Sequence, residues 1–120
     1  MAQILEGIRI VDWSAHVQGP VATAMLGDLG AEIIKIEEPG RGDPLRGQQV
    51  VPGGRLTLQT GENYMFEANN RNKKSVTVNL KKQQGREIIY RLVEKSDVFI
   101  QNFRKGVAEA LGLSYETLCR

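Results

Sequence analysis

One cysteine and one histidine occur in 120 residues, so this chain can close no internal disulfide. Cys119 has no paired histidine nearby and does not read as a nucleophile. No metal-ligand spacing, no paired-carboxylate pattern and no nucleophile elbow occurs. Charge of one sign is also missing. Sixteen Lys and Arg are interspersed with 14 Asp and Glu, a net charge of +2, which is no nucleic-acid footprint. No apolar run reaches membrane-spanning length. The N-terminus MAQILEGIRIVDWS mixes acids and Arg9 with its apolar residues, so no signal peptide and no anchor are expected. With a single cysteine, a reducing, cytoplasmic setting is expected. The chain has 13 glycines but no G-x-G-x-x-G, and without those glycines a backbone cannot approach a pyrophosphate closely. Nicotinamide dinucleotides are therefore not the expected ligand.

What is present is a βαβ pattern in an ordinary globular composition of 41% hydrophobic and 25% charged residues. Ile8, Ile10 and Val11 form a short apolar strand bounded by Gly7 and Asp12. Ala22 to Leu29 reads as a helix with Ala22, Met25, Leu26 and Leu29 on one face. Pro20 suits its first turn and Gly30 its end. Ala31 to Ile36 is near-continuous apolar, as a strand covered on both faces requires. Residues 39–62, punctuated by glycine and proline, read as a long loop. A short helix is expected within 64–72. A third strand is expected over Ser75–Leu80, an amphipathic helix over Gln83–Lys95 with Ile88, Ile89, Leu92 and Val93 inward, and a fourth strand over Val98–Ile100. A turn of helix near Val107–Leu111 and a helix capped by Ser114 follow. The fold class is α/β, a Rossmann-like, mostly parallel sheet with flanking helices. A helix opening so near residue 120 reads as the N-terminal part of a larger domain.

Ligands of open α/β sheets bind beyond the carboxyl ends of the strands. Two segments there, and one directly before the third strand, have useful chemistry. The turn Ser14–Gly19 brings His16 and Gln18 to the start of a helix whose amides can meet an anion or a carbonyl; a lone His at this place is also compatible with simple exposure to water. Asn69–Ser75 holds three cations and three carboxamides, either a phosphate-binding cluster or a solvated loop. Asn102-Phe103-Arg104 sets an aromatic between a carboxamide and a cation, suited to an adenine or a pantetheine, or simply packed under the sheet.

The strings LEGIRIVDWSAHVQGPVATAMLGDLGAEIIKIEEPGRGDPLRG, NRNKKSVTVNLK, GREIIYRLVEKSDVFIQNFRKGV and LGLSYETL occur in an order that resembles the class III CoA-transferases, the family of formyl-CoA transferase, the carnitine CoA-transferases and α-methylacyl-CoA racemase. The resemblance covers nearly the whole chain except about residues 48–61. It implies that residues 1–120 are the N-terminal portion of a large, Rossmann-like, CoA-binding domain, with the catalytic remainder and a small domain absent. It implies a longer polypeptide whose two copies interlock as a homodimer. It also implies transfer of coenzyme A, as co-substrate and without a metal, between an acyl-CoA and a carboxylic acid through an aspartyl intermediate. The CoA contacts it implies are Val17 and Gln18, then Val78, Asn79 and Lys81, then Asn102, Phe103 and Arg104, with His16 a candidate for the substrate pocket. Two departures stand out. Glu38 occupies a position that is Arg in formyl-CoA transferase, and Ala15-His16-Val17-Gln18 replaces His-Val-Gln-Ala. The family's aspartate has no match at Asp12, Asp28, Asp43 or Asp97, so no catalytic residue is assigned here and the chain alone is expected to be inactive. The alternatives are an α-methylacyl-CoA racemase and a non-catalytic CoA-binding fragment.

Overall fold

A computed structural model describes residues 3–119. The chain runs β1 (Arg9–Trp13), α1 (Gln18–Asp28), β2 (Glu32–Glu37), α2 (Pro44–Gly47), β3 (Val50–Val51), β4 (Gly54–Arg55), α3 (Tyr64–Asn69), β5 (Lys73–Thr77), α4 (Gln83–Val93), β6 (Val98–Gln101), α5 (Val107–Ala110) and α6 (Tyr115–Leu118). Four strands form one parallel sheet in the order β5-β2-β1-β6, while β3 and β4 pair as a small antiparallel hairpin. This is the α/β fold expected. Ile10 lies opposite Ile33, and Asp12 opposite Lys35.

Because side chains alternate along a strand, each face of the sheet has its own composition. On one face Val11, Trp13, Ile34 and Ile36 join Val78, Ile89, Ala108 and Leu113 in the main apolar core under α4 and α5. On the other, Ile10, Ala31 and Ile33 make a smaller cluster with Leu5, Ile8, Leu26 and Ile100. Toward the carboxyl ends of β1 and β2, that second face turns polar, with Asp12, Lys35 and Glu37 all buried.

Several expectations are corrected by packing. Helix α1 starts at Gln18, and it buries Gly19, Pro20, Thr23 and Ala24, while of the predicted stripe Leu26 alone packs inward. Met25 is 59% and Leu29 44% exposed. The reason is polar: the Thr23 hydroxyl donates to Asp12 Oδ2 at 2.6 Å, which turns the small-residue side of the helix to the sheet. At its end, the Gly30 and Ala31 amides return to the Gly27 and Leu26 carbonyls with Gly30 at φ +105°, as its sequence position predicts. Strand β5 begins at Lys73 and ends at Thr77, because its partner β2 ends at Glu37. Val78–Leu80 therefore leave the sheet. In α4, Ile89 is buried but Ile88 is 51% exposed, the buried Gly85 taking the adjacent inward position. The long loop is not featureless: it contains α2, capped by Asp43, and the β3–β4 hairpin. Ser114 caps α6 as predicted. Among the described residues, no helix is long and apolar enough to cross a membrane.

Gly85 gives the clearest stability test. A Cβ there would collide with the Asn79 backbone carbonyl and press on Val78 Cγ1 at 3.2 Å. Helix propensity alone favours Gly→Ala by about 1 kcal/mol, whereas forcing an atom into a packed backbone costs about 1–3 kcal/mol. The obstacle is backbone, so the clash wins. Gly85→Ala should destabilise the protein by up to about 2 kcal/mol in urea unfolding, and a stabilised variant would show that the 78–80 turn yields freely.

Candidate functional site

The sheet order places β2 and β5 on one side of β1 and β6 on the other, so the chain changes direction at β1. Loops leaving the carboxyl ends of such strands splay apart, and a crevice opens between them. Here it is a cleft of about 590 Å³. One wall is the turn after β1, a second the segment after β2 with Glu38, Arg41 and Asp43, a third the 78–81 turn, and the fourth Asn102 and Phe103 with Val107 and Leu111. Trp13 and Phe103 stack in its apolar part with ring centroids 4.5 Å apart and a 41° tilt.

The structure brings together, in this one cleft, His16, Val17, Gln18, Val78, Asn79, Lys81, Asn102 and Phe103. Arg104 does not line it. The eight differ in what they have left to offer. Asn102 spends its carboxamide on the turn after β1: Oδ1 accepts from the Ala15 amide at 2.9 Å and Nδ2 donates to the Ala15 carbonyl at 2.8 Å. Val78 is buried in the main core. Asn79 Oδ1 accepts from the Lys81 amide at 3.1 Å and so shapes its own turn. Lys81 is exposed, its ammonium 3.9 Å from Glu38 Oε1. Helix α1 starts at the cleft without an acid in its first turn and without a side-chain cap, which leaves its positive end to a ligand. Gly19 lets this start pack on Ser14, where a Cβ would collide with the serine side chain. His16 lines the cleft, is exposed, and holds a left-handed conformation at φ +64°.

Beneath the cleft lies a layer of buried charge. Asp12 is fully buried; it accepts from the Ser14 hydroxyl and amide, from Thr23, and from Lys73 Nζ at 2.9 Å. Burial pushes the Asp12 carboxyl up, but these donors outweigh it and hold it below the usual carboxylate range. Burial in turn lowers Lys73, which Asp12 only partly offsets. Lys35, set between Ile34 and Ile36 in β2, meets Asp43 at 2.9 Å with side-chain exposures of 2% and 0%. The Asn69–Ser75 cluster is consumed internally: Lys73 goes to Asp12, Arg71 pairs with Asp28, and Lys74 with Glu32. None of its residues lines the cleft. Sequence reasoning did not find Asp12, Lys35, Asp43 or Arg41 as parts of this region. An acid and a lysine inside otherwise apolar strands were the available signal. Among the described residues, no group of three or more His, Cys, Asp or Glu is placed to hold a metal ion.

Residues 5–120 match the sequence model of CoA-transferase family III. The human succinyl-CoA:glutarate CoA-transferase is 44% identical over 114 residues, covering 95% of this chain and 25% of that protein. The formyl-CoA:oxalate CoA-transferase of Afipia carboxidovorans is 40% identical over 120 residues, covering 98% and 26%. Among solved structures, the orthorhombic form of Rv3272 from M. tuberculosis superposes with a TM-score of 0.84 at 42% identity, over 98% of this chain and 31% of that one. The chain thus spans about a quarter of the length of the curated relatives it matches.

Glu37 governs how this region responds to acid. Burial raises its carboxyl, but the Arg46 guanidinium, with two contacts of 2.8 Å, the Ser75 hydroxyl and the Asp43 amide together hold it at about 2. A carboxyl depressed this far below its unfolded value of 4.5 contributes about 3 kcal/mol of stability. That contribution is complete above pH 4.5 and disappears as pH falls through 4.5 toward 2. Chemical unfolding across this window should show the loss, and Glu37→Gln should be less stable near neutrality and fall less steeply over the same range, the remaining slope coming from the other lowered carboxyls such as Asp12. A variant with the parent's pH slope would assign the acid sensitivity to other carboxyls.

Proposed function

The chain belongs to CoA-transferase family III, and from that membership we propose that residues 1–120 form the coenzyme A-holding part of an enzyme that moves CoA between an acyl-CoA thioester and a carboxylic acid. The observation that carries this reading is the single cleft at the switch point of the sheet, where eight of the nine residues expected from the resemblance, all but Arg104, converge on an apolar floor with cations at its rim. Val17, Gln18, Val78, Asn79, Lys81, Asn102, Phe103 and Arg104 are its proposed CoA-binding residues, with His16 facing the acyl side. Their parts differ. Phe103 and the Trp13 ring offer apolar area to pantetheine or adenine. The first amides of α1 suit a carbonyl or a phosphate oxygen. Lys81 and Arg41 supply positive charge, and Asn102 works by fixing the turn after β1.

The chemistry of such a transfer needs a carboxylate nucleophile. Attack on the acyl-CoA carbonyl forms a mixed anhydride and expels the CoA thiolate. The thiolate then attacks the aspartyl carbonyl of that anhydride, giving an aspartyl-CoA thioester and the free carboxylate, and the acceptor acid reverses these two steps. None of the aspartates among the described residues is available for this. Asp12 and Asp43 are buried in ion pairs, Asp28 is held by Arg71, and Asp97 accepts from the Arg9 amide at the opposite end of the sheet. The proposed nucleophile therefore belongs to polypeptide beyond these residues, in an interlocked, cytoplasmic homodimer. The named relatives are CoA-transferases, which supports transfer over α-proton exchange.

Isothermal titration should give binding of CoA and none of comparable strength for NAD. Lys81→Ala and Arg104→Ala should each weaken CoA roughly threefold to tenfold, with the loss shrinking as salt rises. Because Arg104 lies outside the cleft lining, its effect should be the smaller. Tighter binding of NAD would overturn the reading. Exchange of the substrate α-proton for deuterium without CoA transfer, in the protein containing the remainder of the domain, would favour the racemase.

A further inference from the structure

A buried ion pair is a poor way to stabilise a fold, because desolvation consumes most of its Coulomb energy and an apolar pair of similar volume does as well or better. Lys35 and Asp43 nevertheless sit side by side with almost no exposure. Their other partners indicate what the pair does. Lys35 Nζ also donates to the Ser14 carbonyl at 2.8 Å. Asp43 Oδ1 accepts from the His16 amide at 3.3 Å and from the Leu45 amide at 3.0 Å, while the Asp43 amide donates to Glu37 at 2.9 Å. Asp43 Oδ2 makes no hydrogen bond, so Lys35 holds it by charge alone. One pair thus grips two of the four walls of the cleft: the turn after β1 through Ser14 and His16, and the 39–47 segment through Asp43 itself.

Between those grips His16 stands at φ +64°. A residue with a Cβ resists that conformation and keeps it only where its surroundings over-determine it. The next two residues, Val17 and Gln18, begin α1 and point the cleft's helix start. No apolar pair could supply the acceptor for the His16 amide or the donor for the Ser14 carbonyl.

We propose that Lys35 and Asp43 are positioning residues of the cleft, locking His16 in its left-handed conformation and so setting where Val17 and Gln18 meet a ligand; that the ligand is CoA rests on the function proposed above. The test has a ligand-free arm and a CoA arm. Lys35→Met/Asp43→Leu removes both buried charges, the donor on the Ser14 carbonyl and the acceptor of the His16 and Leu45 amides, and replaces the pair with apolar groups of similar volume. It should unfold at a temperature close to that of the parent, yet its His16 amide should exchange with deuterium roughly tenfold faster and its CoA dissociation constant should rise roughly tenfold. Adding His16→Gly, which takes a left-handed conformation freely, should return CoA affinity to that of His16→Gly alone. A folded double variant with His16 exchange unchanged would overturn the proposal. Altered exchange in a protein that never binds CoA would keep the positioning role and overturn the CoA reading. The unmodified protein provides a check that no folding failure can spoil. Its His16 amide should exchange roughly tenfold more slowly than that of Val17, and equal rates would overturn the proposal.

Discussion

Three buried or half-buried ion pairs, Asp12–Lys73, Lys35–Asp43 and Glu37–Arg46, occupy the carboxyl-end half of one face of the sheet, and the arrangement of the rest follows from them. Breaking one by removing a single partner leaves an uncompensated charge in a low-dielectric place, a cost of about 3–5 kcal/mol. Each pair therefore ties together the segments that supply its members. Asp12 and Lys73 join β1 to β5 across β2, with Lys73 also reaching the Pro20 carbonyl of α1. Lys35 and Asp43 join β2 to the loop that follows it. Glu37 and Arg46 fasten that same loop again, with the Arg46 guanidinium 3.9 Å above the Phe66 ring of α3.

The opposite face works by a different physics. There the apolar residues of β1 and β2 meet α4 and α5, and burial of area is non-directional. It holds the layers together without specifying where a loop must lie. The charged layer does specify it, because hydrogen bonds and ion pairs are satisfied only in particular geometries. The division suits a protein whose cleft is built from loops: the apolar face supplies cohesion, and the charged face supplies placement. His16 in its left-handed conformation is the local cost of that placement, about 1–2 kcal/mol.

The architecture was legible because it depends on local pattern. Ile8–Val11, the Pro20 start, the Gly30 stop and Ala31–Ile36 mark a βαβ unit by residue type and spacing, and the turns after β1 and β6 were identified as the ligand edge for the same reason, while the turn after β5 came from the family resemblance. The convergence of His16, Gln18, Lys81 and Phe103 on one cleft follows from parallel strands sharing their carboxyl ends. The inward face of α1 was misread. Periodicity counts apolar residues, and α1 is instead oriented by a hydroxyl seeking a buried carboxylate. The Asn69–Ser75 cations looked available because their acceptors, Asp12, Asp28 and Glu32, lie more than 40 positions earlier in the chain.

The amino-acid sequence by itself thus determined the four sheet strands in their chain order, the Gly30 stop, the Ser114 cap, the family and the edge of the sheet where a ligand belongs, since each rests on short-range chemistry or on ordered motifs. Only the tertiary structure decided which charges are spent and which remain. Whether Lys73 or Lys81 faces a ligand depends on which acid folding brings within 3 Å, and pairing between residues 61 positions apart leaves no periodic trace in the chain.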